Sequence, residues 1–328
     1  MILTGTAMRF DVLFIVLGVW CVLRGADWLT EGSSAIARRM HVPEIIIGLT
    51  IVAAGTSAPE LFVSLVSALK GTSDMAVGNV VGSNIMNTML IVGCAAIVAP
   101  MTISKSTVKK DIPFAIGASL LMLLLSLGGE FSRLDGILLL LGFAAFMTFT
   151  LLPAIKPTTP LESTSPINPI DSTLPTPDAK PLWHHALGIL FGLVGLVIGS
   201  NVFVDHASHV ALSLGISEGV VGLTVVAGGT SLPELATSVV AARKGQSAIA
   251  IGNVIGSNVF NILLIMGLTA TISPLQIEGI TTIDMAVMLL SVALVWLFSR
   301  TRYTVERWEG AALLLGYLAY LVWLIANL

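Results

Sequence analysis

Residues 48–93 read GLTIVAAGTSAPELFVSLVSALKGTSDMAVGNVVGSNIMNTMLIVG, and residues 222–267 read GLTVVAGGTSLPELATSVVAARKGQSAIAIGNVIGSNVFNILLIMG. The two stretches align without a gap at a constant offset of 174 residues, with 28 of 46 positions identical. Such agreement marks a duplicated unit. Each copy is an apolar run interrupted by a polar block, GTSAPE from Gly55 to Glu60 and GTSLPE from Gly229 to Glu234. Pro59 and Pro233 lack the backbone donor a helix needs and clash with the preceding turn, so each run is expected to break into two half-helices. Thr and Ser suit an N-cap just before the break, and Pro suits the first turn after it.

Outward from the repeat, the chain is apolar almost throughout. Of 328 residues, 55% are hydrophobic and 11% charged, against roughly 25% charged in an average soluble domain. With a mean hydropathy of +0.95, this composition belongs to a polytopic membrane protein. A spanning helix needs about 20 apolar residues. Ten candidates follow, at 11–36, 45–69, 74–99, 112–128, 135–155, 184–212, 219–242, 247–271, 282–299 and 308–327. The alternating ten-residue pattern of a β-barrel is missing. Arg9 and Asp11 lead straight into the first apolar run, so no cleavable signal is expected.

Basic residues set the orientation. One side collects Arg38, Arg39, Lys105, Lys109, Lys110, Lys156, Lys180, Arg243, Lys244, Arg300, Arg302 and Arg307; the other has Arg9, Lys70 and Arg133. Both termini are therefore expected outside, in a cell (inner) membrane. Residues 156–181, KPTTPLESTSPINPIDSTLPTPDAKP, hold seven of the fourteen prolines and read as a disordered cytoplasmic linker. The linker divides the chain into a first five-helix repeat over 1–155 and a second over 182–328. Five spans is an odd number, so the second repeat enters the membrane inverted. The fold class expected is an all-α membrane protein of ten transmembrane helices, arranged as two inverted five-helix repeats with helices 2 and 7 broken. Inverted repeats with broken helices are the frame of secondary transporters, whose substrates bind near the midplane.

Glu60 and Glu234 follow the prolines, deep in the hydrocarbon, where a carboxylate is expensive. A half-helix N-terminus offsets part of that cost. Backbone carbonyls freed near Ala53 and Ala227 need partners, which a cation supplies. In the next helices, Ser83 with Asn87 and Ser257 with Asn261 lie four residues apart on one face, while Gly78/Gly82 and Gly252/Gly256 form seams for close packing. Asn79 and Asn253 read as interhelical hydrogen-bonding residues. The inventory is carboxylates, amides, hydroxyls and carbonyls, with no His or Cys in either motif. Such hard oxygen donors favour Ca2+, Na+ or Mg2+. Two negative charges balance one Ca2+ or two monovalent ions.

The paired GTS-x-PE and GN-x-x-GSN-x-x-N blocks closely resemble the cation/Ca2+ exchanger superfamily, in particular bacterial sodium/calcium exchangers. The resemblance covers all ten spans. It implies a secondary antiporter exchanging Ca2+ for Na+ by alternating access. Glu60 and Glu234 would be the central carboxylates. Thr56, Ser57, Ser83 and Asn87 would line one half of the site, and Thr230, Ser231, Ser257 and Asn261 the other. The carbonyls of Ala53 and Ala227 would serve Na+ sites above and below the centre. Some exchangers of this kind carry Asp where this chain has Asn261, so an H+-coupled Ca2+ exchanger is the alternative. The Thr-Ser hydroxyls beside each glutamate favour Na+.

Other classes fit less well. A cation channel would use similar groups, but inverted repeats with broken helices favour a carrier. No enzyme is expected: a membrane hydrolase would need a nucleophile with a base, or a metal-binding histidine pair, in the core. A net charge of −3 without a basic cluster argues against nucleic acid. Cys21 and Cys94 lie in apolar runs, so no disulfide framework is expected. The expected partners are the transported ions and the bilayer, with no cofactor, and a monomer suffices to hold the whole site. Asp205, His206 and His209 form a cluster near the outer end of the sixth span; histidines at i and i+3 could bind a metal, but the cluster reads first as a wet interfacial one. Arg24, Asp27 and Glu31 read as a structural pairing in the first span, and Gly188, Gly192, Gly195 and Gly199 as a packing seam.

Overall fold

The computed structural model describes residues 2–155, 181–215 and 227–326. The linker expected over 156–181 falls outside the described residues except for Pro181, as do 216–226, where the first part of the seventh span was expected. The described chain is helical apart from four two-residue strands. Helix α1 is Ile2–Met40, α2 Glu44–Thr56, α3 Ala58–Leu69, α4 Ser73–Val98, α5 107–126 and α6 Arg133–Ile155. Beyond residue 181 come α7 Leu182–Ser213, α8 Ala227–Thr230, α9 Leu232–Arg243, α10 Ser247–Ile272, α11 Thr282–Arg302 and α12 Arg307–Ala326.

Seven of the described helices are long and apolar enough to cross a membrane, and α2 with α3, bent by 46°, adds an eighth. The remaining two expected spans differ for identifiable reasons. In α5 the regular part, Ile112–Ser126, has 15 residues, or about 22 Å, and the π-helical turn before it, Thr107–Asp111, carries Lys109, Lys110 and Asp111. For the seventh span only α8 and α9 are described.

The 174-residue offset found in the sequence runs through the architecture. The break after Thr56 recurs after Thr230: Ser57 (φ −83°, ψ 5°) and Ser231 (φ −90°, ψ 5°) leave the helical region just before the prolines. Helices α4 and α10 each contain a π-helical turn, Met86–Ile91 and Phe260–Ile265. Strand β1 (Met101–Thr102) pairs with β4 (Thr304–Val305), and β2 (Glu130–Phe131) with β3 (Leu275–Gln276). Each ladder thus ties one half of the chain to the other, and the offset exchanges the two ladders. Ser132 and Asp135 cap α6, with the Ser132 N–H donating to Asp135 Oδ2 at 2.8 Å. At the matching place Glu306 N–H donates to Glu309 Oε2 at 2.8 Å.

Helices α4 and α10 form the centre; within their apolar windows 78% and 94% of residues are buried, against 17–39% for α1, α6, α7, α11 and α12. The outer helices leave leucines, valines and phenylalanines facing outward, as lipid-facing surfaces do. Helices α1 and α7 pack antiparallel through glycine. A Cβ added at Gly25 would sit 2.7 Å from the Gly192 carbonyl oxygen, and one at Gly199 would sit 2.7 Å from that of Gly18. Only hydrogen fits there, so the backbones touch along a seam. Of the glycines expected in that seam, Gly188 and Gly195 make only ordinary contacts. Gly252 and Gly256 of α10 likewise meet the backbone of α2 at Gly48 and Leu49. Gly82 of α4 has nothing within 4 Å among the described residues; the neighbours of its counterpart Gly256, Leu49 and Ala53, correspond by the offset to 223, outside the described residues, and Ala227.

Candidate ion-binding site

The two glutamates are carried to the centre by the half-helices α3 and α9, each in the first turn after a proline. Both are 1% exposed, and none of the ion pairs among the described residues involves either. The serine before each proline occupies the N-cap position but does not cap its own helix. Instead Ser57 donates across to Glu234 Oε1 at 3.1 Å, and Ser231 donates across to Glu60 Oε1 at 3.2 Å. Capping, the expected local use of these hydroxyls, loses to a charge-assisted bond to a buried carboxylate.

The second oxygen of each glutamate, Oε2, is buried without a hydrogen-bond partner. Other polar atoms of the two motifs are also buried without a partner among the described residues: Asn87 Oδ1, Ser257 Oγ, and Oδ1 and Nδ2 of Asn261. Ser83 Oγ lies 3.4 Å from Ser231 Oγ. Thr230 lies beside Glu60, and Thr56 and Ser257 lie beside Glu234. Thr56 is also 3.1 Å from Asn253 Oδ1. Eight of the twelve expected residues, Glu60, Glu234, Thr56, Ser57, Thr230, Ser231, Ser83 and Ser257, are thus linked by contacts, while Asn87 and Asn261 are buried on the neighbouring helices. The other two, Ala53 and Ala227, were picked for their carbonyls. That of Ala53 accepts from Ser57 N–H at 3.0 Å and faces the Thr56 hydroxyl at 3.4 Å. Ala227 opens α8.

Several supporting residues were not picked from sequence. The carbonyl deprived of its donor by Pro233 is that of Gly229, four residues back, and it accepts from the hydroxyl of Ser200 on α7. At the offset position the first half has Ala26, which has no hydroxyl. Asn79 donates to the Glu60 carbonyl at 3.1 Å and to Ser64 Oγ at 2.9 Å. Asn253 does the same to the Glu234 carbonyl at 3.3 Å and Ser238 Oγ at 3.0 Å. These asparagines brace the glutamate-bearing helices, and the Gly-Asn repeat is the signal that marked them. Asn84 and Asn258, inside the GSN blocks, also present buried, unpartnered amide oxygens. Sequence alone gave no means of telling them from structural asparagines.

Two buried carboxylates, each with one oxygen left unpartnered, stand among hydroxyls with no basic partner among the described residues. Such burial is strongly unfavourable without compensation, and hard-oxygen donors of this number suit Ca2+ or Na+.

Known proteins resemble this chain over most of its length. The family model described as sodium/calcium exchanger protein matches residues 10–152 and again 184–326, at the same 174-residue offset. Inner membrane protein YrbG of Escherichia coli (strain K12) is 36% identical over 324 residues, covering 97% of this chain and 98% of its own. The sodium/calcium exchanger MaX1 of Methanosarcina acetivorans is 34% identical, covering 95% of this chain and 97% of its own. Among solved structures, the sodium-calcium exchanger NCX_Mj superposes with a TM-score of 0.82 at 30% identity, covering 95% of this chain and 98% of that one.

Proposed function

The chain belongs to the sodium/calcium exchanger protein family, and on that premise we propose that it is a secondary antiporter exchanging Ca2+ for Na+ by alternating access. One observation carries the reading: two buried carboxylates, cross-bonded by the serines of opposite halves, each keep an unpartnered oxygen, with no counter-charge among the described residues. A cation entering that centre replaces the missing partners, and two carboxylates neutralise one Ca2+ or two Na+ but not both loads together. Mutual exclusion of the two loads is the basis of exchange. Glu60 and Glu234 are the shared ligands. Asn87, Asn261, Ser57, Ser231, Thr56, Thr230, Ser83 and Ser257 complete the oxygen shell, and the carbonyls of Ala53 and Ala227 serve flanking Na+ sites. At Ala53 an ion would displace the Thr56 hydroxyl.

The molecule is read as ten spans in two inverted five-helix repeats, 1–155 and 182–328, joined by a cytoplasmic linker. The reciprocal bonds support this frame. Ser57 to Glu234 and Ser231 to Glu60 exchange under the 174 offset, as do the two ladders. Contacts of the connecting segments with neighbouring helices also support it. Asp74 accepts from Glu278 N–H at 2.9 Å, and Lys244 pairs with Asp27 at 2.7 Å and Glu31 at 3.0 Å. Each contact joins segments that the charge count puts on one face. The location proposed is the cell (inner) membrane, with both termini outside and one chain forming the whole site.

H+ coupling is the second reading, favoured by one feature: Asn261 is neutral, so the site holds two carboxylates and no third. The test is 45Ca2+ uptake into proteoliposomes loaded with Na+ and diluted into Na+-free buffer, beside a matched H+-gradient arm and Glu60→Gln. Uptake driven by Na+ and lost in the variant supports the proposal. Uptake driven by the H+ gradient alone replaces it with proton coupling. Flux that needs no counter-ion in either arm would identify a channel.

A further inference from the structure

Away from the glutamates, α1 and α7 bring together a group of different chemistry. We propose that Asp11, His206 and His209 form a second metal site, for a borderline divalent transition ion such as Zn2+. The ligating atoms of the three residues all lie within 4.8 Å of one another. His206 Nδ1 is 2.7 Å from Asp11 Oδ1, and His209 Nδ1 is 3.8 Å from the same oxygen. Zn2+ bonds of about 2.0–2.1 Å in a tetrahedron set ligand atoms roughly 3.3 Å apart, so the two distances straddle what the ion needs. Two imidazoles and one carboxylate, with a fourth position left to water, are a ligand set that Zn2+ accepts. Imidazole nitrogen is a poor ligand for Ca2+, and Na+ shares that preference for oxygen. The site is therefore chemically separate from the glutamate centre.

The surroundings fit a built site. The Phe14 ring stacks on His206 at 4.6 Å between centroids, 10° from parallel, which holds the imidazole plane. His206 and Asp11 are mostly enclosed, while the His209 side chain is 67% exposed and opens the group to solvent. The ligands come from two helices, but these are held at backbone contact by the Gly18–Gly199 seam, so their spacing is set before any ion arrives. A plain aspartate–histidine hydrogen bond accounts for His206 alone. It leaves unexplained why His209, one turn along, turns its Nδ1 to the same oxygen beyond hydrogen-bonding distance. The carboxylate that joins the histidines is Asp11 of the other helix and not the adjacent Asp205, which is exposed.

The test is Co2+ titration of the full chain in detergent, purified on a tag without histidine and read by visible absorption, with Zn2+ as competitor. One Co2+ per chain is expected, with the intense ligand-field bands of tetrahedral coordination, displaced by Zn2+ and unchanged in Glu60→Gln. His209→Ala, an exposed position whose loss leaves packing intact, should weaken binding by about tenfold or more. His206→Ala and Asp11→Asn should abolish the bands. Absence of tetrahedral bands in the unaltered chain overturns the proposal. So does their persistence in the His206→Ala, His209→Ala double variant, or their loss in Glu60→Gln.

Discussion

At the scale of single residues, the site is defined by where two serine hydroxyls point. Ser57 and Ser231 sit at helix N-caps yet serve the glutamate of the opposite half. Each is a hydrogen bond to a buried ionisable group, worth about 1.5–3 kcal/mol. Ser57→Ala and Ser231→Ala should therefore fold normally and raise the half-saturating Ca2+ concentration for 45Ca2+ uptake by about tenfold each, a change corresponding to about 1.4 kcal/mol. Equal effects are expected because the two bonds are equivalent under the offset. Asn261 makes a sharper test of charge balance. With two carboxylates, exchange of one Ca2+ for two Na+ moves no net charge, so uptake should be insensitive to an imposed K+ diffusion potential. In Asn261→Asp a third carboxylate admits a third monovalent ion, and uptake should become potential-dependent.

At the scale of elements, proline breaks each central helix, and what matters is how the freed carbonyl is satisfied. In the second half Ser200 supplies the missing donor to Gly229. Interhelical hydrogen bonds within membranes are worth about 0.6 kcal/mol on average and up to about 1.7. Ser200→Ala should lower the unfolding free energy by about that much, measured in mixed micelles, and its effect on transport should exceed that of a control change at exposed Asn201. The α1–α7 seam predicts a larger effect. Gly25→Leu places a side chain where the Gly192 carbonyl lies 2.7 Å from the Cβ position, and overpacking of this kind costs about 1–3 kcal/mol. Thermal stability in detergent should fall.

At the scale of the whole molecule, two halves related by the offset meet face to face. Inversion makes a direct prediction for the loops at Lys70 and Lys244, which occupy equivalent places 174 residues apart. On a background with Cys21 and Cys94 replaced, a cysteine at position 70 should react with a membrane-impermeant maleimide from outside, and one at 244 only after permeabilisation. Labelling of both from the same side would show parallel repeats and remove the two-fold frame.

How much of this was written in the sequence follows from the range of each interaction. Apolar run length, the duplicated block and the prolines at 59 and 233 are local properties, and they determined the helical class, the breaks and the position of both glutamates. The same blocks marked Ser83, Asn87, Ser257 and Asn261, because residues four apart share a helix face wherever the helix lies. Partner choice is not local. That Ser57 reaches Glu234 and leaves its own helix end uncapped, that Ser200 serves Gly229, that Asp11 and not Asp205 joins the two histidines, and that β1 meets β4 across 200 residues of chain all depend on helices brought side by side. Periodicity gives the face that a side chain occupies but not the neighbour it meets, since packing in lipid is decided by which backbones can touch. The glycines at 18, 25, 192 and 199 are visible in the chain, but only the folded structure pairs them.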